Sequence, residues 1–84
     1  MKIKFDETAW ADYLKLAQQN PALLRRINEL IREIQRHPYS GIGKPEPLKH
    51  HLSGFWSRRI NAEHRLVYAL EGDAILIAMV QGHY

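Results

Sequence analysis

Three apolar-rich runs close the chain: Phe55-Trp56-Ser57-Arg58-Arg59-Ile60, Arg65-Leu66-Val67-Tyr68-Ala69-Leu70 and Ala74-Ile75-Leu76-Ile77-Ala78-Met79-Val80. They are rich in the β-branched and aromatic residues that fit a pleated surface. The spacers, Asn61–His64 and Glu71-Gly72-Asp73, are too short for anything but tight reversals. The runs therefore predict three consecutive antiparallel strands, a meander. A sheet of this kind has to be covered on one face, and the covering layer must come from the residues before it.

That layer is legible upstream. Lys2-Ile3-Lys4-Phe5 alternates polar and apolar and predicts a short strand. Asp6 then caps a helix in which Trp10, Tyr13, Leu14 and Ala17 recur at helical spacing as a candidate core stripe. Asn20-Pro21 marks a restart, a capping residue followed by proline at the first helical position. From there Leu23, Leu24, Ile27, Leu30, Ile31 and Ile34 form one apolar stripe, with Arg25, Arg26, Glu29, Arg32 and Glu33 on the other side. Pro38 disfavours helical geometry in the residue before it, so this helix should end at His37. Tyr39 to Pro47 holds Gly41, Gly43, Pro45 and Pro47 and reads as a conformationally restricted loop. The order is β-α-α-β-β-β: an α+β fold with two helices on one face of a mainly antiparallel sheet, in one domain spanning residues 1–84.

An 84-residue chain supports one small core. There is no cysteine, hence no disulfide framework and no thiolate zinc site, which suits a reducing cytoplasm. No apolar signal segment opens the chain and no run is long enough to span a bilayer, so a cytoplasmic protein without a membrane partner is expected. Twelve Lys and Arg against nine Asp and Glu give a net charge of +3. The segment from Lys44 to Arg65 concentrates it, with five Lys or Arg and three His against two Glu.

That segment and the terminal pair His83-Tyr84 carry the candidate chemistry. RNA is cleaved when its 2′-hydroxyl attacks the adjacent phosphate, which calls for a base, a cation for the phosphorane and an acid for the departing 5′-oxygen. Glu46, a carboxylate between two prolines in the basic loop, is the candidate base; the bland alternative is a surface pair with Lys44 or Lys49. His83 is the candidate acid, since an imidazole donates a proton near neutrality, and its alternative is a frayed polar tail. Arg65, opening a strand after a turn, offers a guanidinium that can hold two phosphate oxygens, or a salt bridge with Glu63 or Asp73. Lys49, Arg58 and Arg59 are candidates to track an RNA backbone, although Arg58 and Arg59 must point to opposite sheet faces. The Tyr84 phenol is suited to stack on a base or donate to a phosphate. Phe55 and Trp56 likewise divide between the faces, one for the core. His50, His51, His64 and His83 lack any established metal-ligand spacing, and neither a metal nor another cofactor is expected.

The ordered motifs Lys44–His50, Leu52–Ile60, Glu63–Tyr68 and His83-Tyr84, with Asn28-Glu29-Leu30-Ile31 in the second helix, resemble the YoeB toxins, RelE-like members of bacterial toxin–antitoxin pairs. The resemblance spans essentially the whole chain. It implies a ribosome-dependent endoribonuclease that cuts messenger RNA in the decoding site. It also implies a homodimer and neutralisation by a YefM-like antitoxin. Position by position it implies Glu46 as general base, His83 as general acid and Arg65 as transition-state stabiliser. Lys49, Arg59 and Tyr84 match supporting or RNA-binding positions. The chain departs from the pattern at Gln81-Gly82, where family members often carry a basic and an aromatic residue, and at His51, where they carry a small polar one. Against the nuclease stand two other readings: a non-catalytic RNA or ribosome binder that acts by occupancy, and an inert antitoxin partner.

Overall fold

The computed structural model describes residues 1–82. One residue, Asn20, makes both helices possible. Helix α1 (Glu7–Gln19) ends where the Asn20 amide donates to the Leu16 carbonyl at 2.8 Å. Helix α2 (Pro21–Arg36) begins where the Asn20 side-chain oxygen accepts from the Leu23 amide at 3.2 Å, with Pro21 in the first turn. Its stripe is the core: Leu23, Ile27, Leu30, Ile31 and Ile34 are buried and Leu24 packs against them. Burying each such side chain is worth about 1.5–3 kcal/mol. His37 caps the end, as the following proline requires.

The inward face of α1 differs from the expected stripe. Ala9 and Leu16 are buried, whereas Trp10 is 45% and Leu14 49% exposed. Trp10 instead stacks on Tyr13 and tilts against Phe5, centroids 5.6 and 5.2 Å apart. Small Ala9 lets α1 approach closely, and the aromatics lie along its flank.

The sheet has five strands in the order β1-β5-β4-β3-β2: β1 (Lys2–Phe5), β2 (Glu46–Pro47), β3 (Trp56–Arg59), β4 (Arg65–Glu71) and β5 (Ala74–Met79). The β3-β4-β5 meander is antiparallel as expected. β1 pairs in parallel with β5 at one edge, which makes the sheet mixed. β2 falls inside the segment read as loop. Two residues give too little pattern to recognise, and proline is tolerated at a sheet edge. Trp56, Ile60, Leu66, Tyr68, Ile75 and Ile77 face the helices and join the core.

Arg58 departs most from the sequence reading. It is fully buried on the helix face, not available to track RNA. Its Nε donates to the Tyr68 hydroxyl at 3.2 Å, Nη1 to the Ile42 carbonyl at 3.0 Å, and Nη2 to the carbonyls of His37 and Ser40 at 2.5 and 2.8 Å. The His37 carbonyl lies at the C-terminus of α2, where the helix dipole favours a cation. The Tyr68 hydroxyl in turn donates to the Pro38 carbonyl at 2.6 Å. One arginine thus ties the end of α2 and the following loop to β3 and β4. Trp56 tilts against Tyr39 at 4.8 Å on the same loop.

Burial raises the Tyr68 pKa above the ordinary phenol value of 10.0, outweighing the opposing pull of Arg58. Folding therefore favours the neutral phenol. That contribution is complete below the unfolded pKa and is lost as pH rises through the higher folded value. Denaturant titrations at increasing pH should show stability falling above about pH 10, with a shallower fall in Tyr68→Phe. Equal slopes for the two proteins would show that Tyr68 does not drive the alkaline loss.

Candidate active site

The face away from the helices collects the basic and acidic side chains. Glu46 stands directly opposite Ser57, Ser57 opposite Val67, and Arg59 opposite Arg65. Because neighbours in a pair share a face, and i and i+2 along a strand share it too, Glu46, Ser57, Arg59 and Arg65 lie on one surface. Two interstrand spacings of about 4.8 Å and one two-residue step of about 6.8 Å separate the Glu46 and Arg65 backbones by roughly 12 Å. Like charges directly opposite each other are destabilising in a sheet, and a bound anion between Arg59 and Arg65 would offset that cost.

The approach to Glu46 is pinned by backbone. Gly43 adopts φ +84°, and a Cβ there would come within 2.8 Å of Leu30 Cδ2 and 3.1 Å of Arg58 Cβ. The Gly43 carbonyl accepts from the Arg59 amide at 2.6 Å, which extends the β3 edge into the loop. Beyond β2, the Leu48 amide donates to the Phe55 carbonyl at 2.9 Å and Leu48 is buried beneath the strand end. Lys49 precedes a short 3-10 turn, His50–Leu52, in which His50 holds a left-handed φ of +58°. Such a conformation in a non-glycine residue costs energy and tends to occur at functional sites. Residues 46–52 line an open groove of about 670 Å³. Glu46, Lys49 and Arg59 are all exposed.

Arg65 is held at both ends of its residue. Its Nη1 donates to the carbonyls of Asn61 and His64, at 3.1 and 3.2 Å. Among the described residues no ion pair joins it to Glu63 or Asp73, and its Nε and Nη2 carry no hydrogen bond. The turn itself is preset: Asn61 Oδ1 accepts from the amides of Glu63 and His64, at 2.9 and 2.8 Å. The Arg65 amide donates to the Gly82 carbonyl at 3.0 Å, and the Gly82 amide donates to His64 Nδ1 at 2.8 Å. The strand end and the chain leading to residue 83 therefore meet beside Arg65. His83 and Tyr84, expected as acid and supporting phenol, lie outside the described residues.

Of the six candidate site residues, Glu46, Arg59 and Arg65 thus share one sheet face, and Lys49 lines the groove beside Glu46. Among the described residues no group of three or more His, Asp or Glu converges as metal ligands would. The bond from the Gly82 amide to His64 has no local sequence signal, since it joins positions 18 residues apart.

A profile described as the YoeB-like toxin of bacterial type II toxin-antitoxin systems matches residues 5–84. The chain belongs to this family. Toxin YoeB of Escherichia coli K12 is 54% identical over 84 residues, covering 100% of both chains. A YoeB/ParE toxin from Agrobacterium tumefaciens superposes with a TM-score of 0.97 at 41% identity, again over 100% of both chains. A Staphylococcus aureus YoeB–YefM complex and a YoeB dimer from the same organism each match with a TM-score of 0.93, at 46% and 45% identity, over 100% of this chain and 98% of theirs. YoeB toxins thus share this mixed sheet with two covering helices. No helix among the described residues of this YoeB-like chain is long and apolar enough to cross a membrane.

Proposed function

We propose that this YoeB-like toxin is a ribosome-dependent endoribonuclease that cuts messenger RNA in the decoding site without a metal or other cofactor. The observation that carries the reading is the shared surface of Glu46, Arg59 and Arg65, with Gly82, one bond before His83, joined to the Arg65 backbone. On that surface the Glu46 carboxylate takes the 2′-hydroxyl proton and the Arg65 guanidinium binds the equatorial phosphorane oxygens. His83 protonates the leaving 5′-oxygen. Lys49 and Arg59 hold the flanking phosphates, and Tyr84 supports the scissile one. The products are a 2′,3′-cyclic phosphate or its 3′-phosphate and a 5′-hydroxyl.

The protein would work in the cytoplasm as a homodimer and be neutralised by a YefM-like antitoxin. The dimer and complex solved for the Staphylococcus aureus relative support that reading. An acidic segment, disordered when free, would suit the basic face.

End-mapping of a messenger cut on programmed ribosomes tests the reaction. Cleavage within the A-site codon that leaves a 5′-hydroxyl is expected. A 5′-phosphate would overturn the base–acid assignment, and arrested ribosomes carrying intact messenger would establish the occupancy mechanism instead.

A further inference from the structure

The two hydrogen bonds on Gly82 immobilise the peptide units on both sides of its α-carbon. The amide of the first donates to His64 Nδ1 at 2.8 Å, and the carbonyl of the second accepts from the Arg65 amide at 3.0 Å. The clamp therefore fixes the backbone of Gly82, the residue that precedes His83 in the sequence. Glycine, with φ +86° here and no atom within 4 Å of where a Cβ would stand, is the residue least able to hold such a direction by itself. His64 in turn is anchored, its backbone amide bound to Asn61 Oδ1 at 2.8 Å, and its ring is half-buried.

We propose that His64 is a positioning residue for the proposed general acid: its unprotonated Nδ1 fixes Gly82, the residue that carries the chain into His83. This rests on the nuclease reading above. The role requires one tautomer, with the ring proton on Nε2, because Nδ1 has to accept from an amide. It also gives the Gln81-Gly82 departure a consequence: a flexible glycine before the acid makes an outside anchor necessary. Misplacing a catalytic group by about 1 Å costs on the order of 100-fold in rate.

Three measurements on the full chain test it. Nitrogen-15 NMR of the wild-type imidazole is expected to show the Nε2–H tautomer at His64; an Nδ1–H ring would overturn the proposal without any variant. In single-turnover cleavage on programmed ribosomes, His64→Phe keeps a ring but has no acceptor, and should cut on the order of 100-fold more slowly, with ribosome affinity unchanged and the Gly82 amide less protected from exchange. His64→Asn places an oxygen near the Nδ1 position and should restore both the rate and the protection. If His64→Phe unfolds, His64→Asn and the wild-type tautomer still decide the matter. Wild-type rates in His64→Phe, or no rescue by asparagine, would overturn the positioning role while leaving the nuclease reading in place. An inactive wild-type protein would overturn both.

Discussion

Single-turnover cleavage on programmed ribosomes should fall by about a hundred- to ten-thousand-fold in Glu46→Ala, and by a similar factor in His83→Ala. These are the magnitudes by which a positioned base or acid accelerates proton transfer. Arg65→Ala should lose roughly a hundred- to a thousandfold, as happens when one preorganised donor to a developing negative charge is removed. The double variant Glu46→Ala/His83→Ala should be little slower than the worse single one, because in the proposed mechanism the two groups serve one displacement. Glu46 is exposed, so its truncation should change stability by no more than about 0.5 kcal/mol, and thermal melts will separate lost chemistry from lost folding. A Glu46→Ala protein that cuts at the wild-type rate would remove the carboxylate from the mechanism. The same result for Arg65→Ala would leave the facing Arg59 and Arg65 without the anion that explains them.

The second large effect falls on stability. Arg58→Ala deletes the donor to three carbonyls and the Tyr68 hydroxyl at a fully buried position. Breaking a buried charged network from one side costs about 3–5 kcal/mol, because the abandoned acceptors cannot recover water. A domain of this size has a total stability of roughly 4–13 kcal/mol, so a melting temperature lower by about 12–40 °C is expected. Arg58→Lys should recover only part of it. An ammonium keeps the charge near the end of α2 but has no planar fork to span acceptors from His37 to Ile42. An Arg58→Ala melt within a degree or two of wild type would mean that the loop after α2 is held by other contacts.

Arg58 also shows where the sequence ceases to be informative. Alternation along β3 dictated that Arg58 and Arg59 point to opposite faces, but nothing local says which is buried. That is decided by the arrival of the α2 terminus and the loop behind it, whose carbonyls replace water around the guanidinium. By contrast α2 was legible in full, because capping and periodicity are local: Asn20 and Pro21 set its start, its stripe set the buried face, and Pro38 set its end. The three-strand meander was legible for the same reason, its reversals being too short to permit another pairing. The inward side of α1 was misjudged because close approach selected Ala9 over the larger Trp10 and Leu14.

For the candidate site, residue chemistry alone singled out Glu46, Lys49, Arg58, Arg59, Arg65, His83 and Tyr84, of which Arg58 is buried in the core and the last two lie outside the described residues, and the motif order pointed to the family. What the sequence determined is what depends on near neighbours: two helices, a meander, a basic loop and the residue types suited to phosphate chemistry. The tertiary structure decided the rest. It set the parallel pairing of β1 with β5, the short β2 strand that brings Glu46 opposite Ser57, the facing of Arg59 and Arg65, and the His64–Gly82 clamp. Each joins segments whose contact has no periodic signature, because its stability comes from sheet register and shared burial, which exist only once the chain has closed on itself.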